Sequence, residues 1–192
     1  MIFRYRQLRS GAVAALVCAV VSCGQFGRVE QGVAIDYDAA AGVVTLILES
    51  APGESRYDVL PPVRVRIPED PRQMGPAPAA GKLLRLDGGE LAIFNAVEQR
   101  IETIPYQLVE KTGNVYPDDP RLARESLPAV DRTKGTVRLY SPKTREILTL
   151  SVPAQYLALP PDTWRFGDEV RYYFKTPGQA LRMMNVSRTR LS

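Results

Sequence analysis

Four short blocks recur in the same order in the two halves of this chain, and that order limits the possible folds more than any single motif does. Asp38 and Gly42 precede Val44-Thr45-Leu46, just as Asp131 and Gly135 precede Val137-Arg138-Leu139. Val63-Arg64-Val65-Arg66-Ile67-Pro68 parallels Leu148-Thr149-Leu150-Ser151-Val152-Pro153, each an alternating run stopped by proline. Gly81-Lys82-Leu83-Leu84-Arg85-Leu86 then matches Gly167-Asp168-Glu169-Val170-Arg171-Tyr172, and Leu91-Ala92-Ile93-Phe94-Asn95 matches Leu181-Arg182-Met183-Met184-Asn185. A repeated order of turn, strand, stop and hairpin reads as a duplication. The first copy carries extra residues around 51–56.

The runs are short, alternating and rich in β-branched, leucine and tyrosine residues, with Gly, Pro and Asp between them. The 16 prolines and 14 glycines are spread along the chain, which suits many turns and few long helices. Short helical turns are expected at 70–74 and 154–159. The pattern predicts an all-β fold of two similar small barrel-like units of the OB or SH3-like kind, in which closure protects strand edges. The first β unit covers 23–109, a connector 110–127, and the second β unit 128–192. An extra strand near 101–109 leaves open whether the two units pack as one body.

The N-terminus has its own grammar. Arg4, Arg6 and Arg9 precede a mostly apolar run from Gly11 to Val21, and small Ser22 stands directly before Cys23. That is the order of an export signal over 1–22. The apolar run is shorter than the roughly 20 residues a spanning helix needs. Twin arginines are absent, which favours the general export route. Val20-Val21-Ser22-Cys23 resembles the lipobox of bacterial lipoproteins. The resemblance implies lipidation of Cys23, cleavage after Ser22 and acylation of the new amino group. Multiple acyl chains anchor stably where one does not. Gly24 after the cysteine, by resemblance to Gram-negative sorting, implies the outer membrane, facing the periplasm.

Removal of the signal changes the charge argument. The chain has 25 Lys+Arg against 21 Asp+Glu, and three of those arginines lie in the signal, leaving 22 against 21. No clustered basic run remains in the linear sequence to suggest nucleic acid, since Arg64 and Arg66 alternate with Val63, Val65 and Ile67 as on the wet face of a strand. Cys18 leaves with the signal and Cys23 is lipidated, so no disulfide forms within the mature chain.

Histidine is absent from the chain. That removes Ser-His-Asp and Cys-His catalysis and every histidine-based metal site. Asp118-Asp119, bracketed by prolines, reads as turn chemistry, and Asp168 is the other carboxylate a histidine-free enzyme would use. No spaced acidic loop supplies the six or so oxygens calcium requires. Gly88-Gly89 reads as a hairpin turn. Trp164 with Met183 and Met184 has the soft-ligand composition of a copper(I) site, but adjacent strand residues face opposite ways and core filling by methionine is the better reading. Tyr172, Tyr173 and Phe174 are expected to alternate between core and surface. No catalytic residue, metal ligand or cofactor is assigned.

The lipobox, "QGVAIDYD", "YDVLPPV", "MGPAPAAG", "NVYPDDP", "ALPPDTWRFGDEVRYYF" and "ALRMMNVS" together resemble a family of small lipoproteins from sulfate-reducing bacteria, domain of unknown function 4881. The resemblance covers nearly the whole mature chain and implies no activity. The reading that follows is a non-catalytic, membrane-anchored β-module with an envelope protein or glycan as partner. The alternative is a carrier of a small ligand or soft metal ion.

Overall fold

The structure, a computed structural model, describes residues 26–51, 53 and 56–189. The expected signal over 1–22 and Cys23 lie outside the described residues. Among the described residues twelve strands carry the fold. β1 (Arg28–Asp38), β2 (Val43–Glu49) and β3 (Tyr57–Arg66) form a meander, followed by β4 (Leu83–Asp87), β5 (Glu90–Asn95), β6 (Arg100–Pro105) and β7 (Gln107–Thr112). A five-residue helix, α1 (Pro120–Arg124), leads to a second meander of β8 (Ala129–Asp131), β9 (Thr136–Ser141) and β10 (Glu146–Ser151), then the hairpin β11 (Glu169–Thr176) and β12 (Gln179–Asn185). Among the described residues no helix is long and apolar enough to cross a membrane.

The local chemistry of the matched blocks is shared. The Asp38 carboxylate accepts from the Ala41 N–H at 2.9 Å, and Asp131 accepts from Thr133 and Lys134 at 3.0 Å. In each turn the following glycine, Gly42 or Gly135, takes a positive φ that a side chain would strain. Asn95 and Asn185 both end their strands by turning a side-chain oxygen back onto a nearby backbone N–H. Gly88-Gly89 forms the two-residue turn between Asp87 and Glu90, with positive φ at both positions. The expected helical turns at 70–74 and 154–159 contain 3-10 turns, Pro71–Gln73 and Ala154–Ala158.

The strand pairing overturns the expectation of two tandem OB- or SH3-like units. The largest sheet runs β1-β11-β12-β3-β2 and also pairs β1 with β2, so its strands come from both halves of the chain. β12 and β3 meet, in parallel, at the single pair Gln179 and Arg66, where the sheet curls round onto itself without a continuous ladder. The second meander joins β7 instead, in the order β7-β10-β9-β8, and β4-β5-β6 form a separate three-stranded sheet. The hairpin of the second half thus completes the sheet of the first half. The reason is physical: an alternating pattern says which face of a strand is buried but not which strand lies beside it.

The three sheets stack as layers. β5 shows why, because Leu91 and Ile93 pack with Val137, Leu139, Leu148 and Leu150, whereas Ala92 and Phe94 pack with Val33, Ile35 and Ile47. The three-stranded sheet is therefore the middle layer, buried on both faces. A third cluster, including Ala34, Val44, Leu46, Val65, Tyr172 and Met183, fills the curled five-stranded sheet. β1 is likewise buried on both sides, with Ala34 inside and Val33 and Ile35 against the middle layer.

The layers are stitched where the two hairpins begin. Ala34 donates to the Asp168 carbonyl at 2.9 Å and accepts from the Gly81 N–H at 3.0 Å. Leu83 donates to the Arg165 carbonyl at 3.0 Å. Close approach explains Gly167, because a Cβ there would meet the Ala34 carbonyl.

Candidate functional site

A cleft of about 360 Å³ opens between the five-stranded sheet and the second meander. β4, an edge strand of the middle sheet, supplies one wall through Leu84 to Asp87. The β9–β10 turn from Ser141 to Glu146 supplies the opposite wall, and Phe166, Gly167 and Glu169 close one end. Buried Val33, Tyr57 and Leu84 give it an apolar side.

The turn that forms the opposite wall is held locally. The Ser141 hydroxyl accepts from the Thr144 N–H and hydroxyl, and Arg145 takes a positive φ to bring the chain round. Glu146 reaches across to Lys111 on β7 at 2.6 Å. Hydrogen bonds from Lys111 and then Thr144 hold the Glu146 carboxyl below the usual range.

Tyr57 is the unusual member of the site. It is 5% exposed, and its hydroxyl makes no hydrogen bond of full geometry among the described residues, although the Gln31 and Glu169 side chains stand close enough to bear on it. A buried hydroxyl without a partner costs about 1–3 kcal/mol, so it marks a place where a polar group of a ligand would be welcome. Burial, and then the negative charge of Glu169, push the Tyr57 hydroxyl well above its ordinary value, so it remains a neutral donor. Glu169 pairs with Lys143 at 3.3 Å, and its own N–H donates to the Ser187 hydroxyl at 2.8 Å. The wall thus offers hydroxyls and a neutralised ion pair beside an apolar, aromatic surface. Nothing in "YDVLPPV" singled out Tyr57, whose burial depends on packing with residues of other strands, Val33, Ile47 and Leu84 among them.

The residues singled out by sequence fall elsewhere. Cys23 lies outside the described residues. Asp168 is 4% exposed, and one of its oxygens, Oδ2, accepts from the Ala79 N–H at 2.8 Å, the Asn185 amide at 2.8 Å and the Arg188 guanidinium at 2.7 Å. It is a structural clamp between the proline-rich loop and β12. Asp119 caps α1 by accepting from the Arg121 N–H at 2.9 Å and gripping the same guanidinium, which takes its carboxyl down to about 2. Asp118 is exposed beside it. Trp164 is fully buried in the core between the middle sheet and the second meander, while Met183 is buried inside the five-stranded sheet. The soft-ligand set is therefore not assembled. Among the described residues no group of three or more His, Cys, Asp and Glu side chains is placed to hold a metal ion. Tyr172 and Phe174 point inward and stack at 5.3 Å, and Tyr173 lies on the half-exposed face.

The model of one protein family, described as domain of unknown function DUF4881, matches residues 25–192. No curated protein matches the chain. No solved structure matches it either.

Proposed function

The chain belongs to the family of domain of unknown function DUF4881, and from that premise we propose that it is a lipid-anchored, non-catalytic envelope module that holds a glycan segment in the Tyr57 cleft. The anchor is the Cys23 thiol, in the sequence context of a lipobox, and the placement is the periplasmic face of the outer membrane. The observation that carries the binding reading is the buried Tyr57 hydroxyl, which lacks a hydrogen bond of full geometry, beside the Lys143–Glu169 pair.

A sugar ring has an apolar face and hydroxyl edges, and the cleft has the complementary division. Leu84, Val33 and Phe166 offer the apolar surface, while Tyr57, Ser187 and Glu169 offer a donor and acceptors. Lys143 pairs with Glu169 and Glu146 with Lys111, while Arg85 and Asp87 carry opposite charges, so the lining has no dominant charge and favours a neutral ligand over an ionic one. The volume is at the small end of ligand pockets, roughly 300–1,000 Å³, so one or two sugar units fit.

The test is an NMR titration of the chain with uncharged disaccharide fragments of cell-wall glycan. Saturable shifts at Tyr57, Glu169 and Ser187 are expected, and Tyr57→Phe should weaken binding about tenfold, the worth of one buried hydrogen bond. Absence of shifts at these residues, or equal binding by Tyr57→Phe, would sink the glycan reading. A copper(I)-induced rise in melting temperature, unchanged by that substitution, would favour the carrier alternative instead.

A further inference from the structure

We infer that the end of the five-stranded sheet around the β11–β12 turn is a membrane-docking face that lies on anionic lipid headgroups and points the Tyr57 cleft away from the bilayer. The inference rests on the lipid-anchored reading of Cys23 for its orientation, and on five cations for its chemistry.

Arg28, Arg64, Arg66, Lys175 and Arg182 are all exposed. None of them forms an ion pair among the described residues; exposed Arg85, Arg124 and Arg165 are likewise unpaired but lie on other elements. The strand pairing brings the five to one end. Arg28 stands opposite Phe174, the neighbour of Lys175, and Arg182 stands opposite Tyr173. Arg66 pairs with Gln179 and donates its N–H to the Gly178 carbonyl at 2.8 Å, so β3 delivers Arg64 and Arg66 beside the same turn. These positions come from both halves of the chain, which is why the linear sequence holds no basic run.

Apolar side chains are exposed among them. Phe26 is 89% exposed, Val29 62% and Leu181 44%. Cations mixed with exposed apolar side chains suit the headgroup boundary of a bilayer, where long basic side chains reach phosphates while apolar groups enter the acyl edge. Five cations interleaved with exposed apolar side chains match an anionic lipid surface on both counts, phosphates for the cations and the acyl edge for the apolar groups.

Chain geometry sets the orientation. Four residues lie between Cys23 and Arg28, a reach of at most about 18 Å over five steps, so an anchor at Cys23 holds this end of the sheet against the bilayer. β11 starts at Glu169 in the cleft and ends beyond Lys175 in the basic face. At about 3.3 Å per residue, the strand holds the cleft roughly 20 Å further out.

Lipid-free chain expressed from residue 24, without the signal and the acylated cysteine, is sedimented with vesicles of phosphatidylglycerol and phosphatidylcholine, and with phosphatidylcholine alone, at low and at physiological salt. The expected result is binding to the anionic vesicles that weakens with salt, and little to the neutral ones. Each cation near such a surface contributes about fivefold, so Arg64→Gln, Arg66→Gln, Lys175→Gln and Arg182→Gln together should reduce binding by more than a hundredfold at unchanged melting temperature. Equal binding to both vesicles, or an unaltered affinity in the neutralised variant, would overturn the proposal. Lipidation is read separately, by acyl label on the wild-type chain in cells, so loss of the anchor reading and loss of the docking face give different results.

Discussion

The matched hairpins β4–β5 and β11–β12 begin from the same sequence pattern and end in different surroundings. β11–β12 is inserted into a sheet, with β1 on one side and a single contact to β3 on the other. β4–β5 instead pairs onward to β6 and is covered on both faces. Matched residues consequently do different work. Leu91 is fully buried and Leu181 is 44% exposed. Lys82 donates to the Ile35 carbonyl at 3.1 Å, while its counterpart Asp168 gathers three donors. A local pattern thus specifies a hairpin, and only the rest of the chain specifies what the hairpin touches.

The sharpest way to break this comparison is to truncate the matched leucines. Leu91→Ala should cost about 3 kcal/mol, whereas Leu181→Ala should stay within about 0.5 kcal/mol, both read by urea denaturation. Comparable losses would mean that the two hairpins share one environment after all. Next come the residues that start the hairpins. Asp168→Ala leaves the buried Asn185 amide and Ala79 N–H without their acceptor and should cost about 2–3 kcal/mol; Lys82→Met removes a bond to one carbonyl and a long ion pair to half-exposed Asp162 and should cost about 1–2 kcal/mol.

The smallest effect lies in the segment between the halves. The folded-state carboxyl of Asp119 is lowered, chiefly by its hydrogen bonds from Arg121. A lowered carboxyl contributes stability that is present above the ordinary aspartate value near 3.8 and is lost as pH falls through about 2. A carbon-detected NMR titration should place the Asp119 midpoint near 2, and Arg121→Ala should move it back up. An unmoved midpoint would show that Arg121 is not the cause.

Turns were legible in the sequence because their chemistry is local. Asp38 with Gly42, Asp131 with Gly135 and Gly88-Gly89 each carry their own geometry within a few residues. The inward and outward alternation of Tyr172 to Phe174 was legible for the same reason. Partner choice was not, since every strand here presents the same kind of edge. One sign of it was present: Leu91-Ala92-Ile93-Phe94 is a continuous apolar run, as is Val33-Ala34-Ile35, and continuous runs indicate burial on both faces. The absence of histidine limits the chemistry on the sequence alone. The cleft could not be read in advance, because Tyr57, Lys143 and Glu169 are far apart along the chain and meet only through the insertion of β11–β12 into the sheet of the first half.

The pairing of β1 with β11 also governs when this protein can fold. The hydrogen bond from Tyr172 to Glu30 spans 142 positions. A chain delivered from its N-terminus therefore keeps one edge of β1 open until nearly the last strands have arrived. Contacts so distant in sequence make folding slow, and an open edge during that interval is a template for pairing with another chain. Arrival of the C-terminal hairpin is then the event that closes the window for misassembly, and any truncation before β11 leaves it open for good.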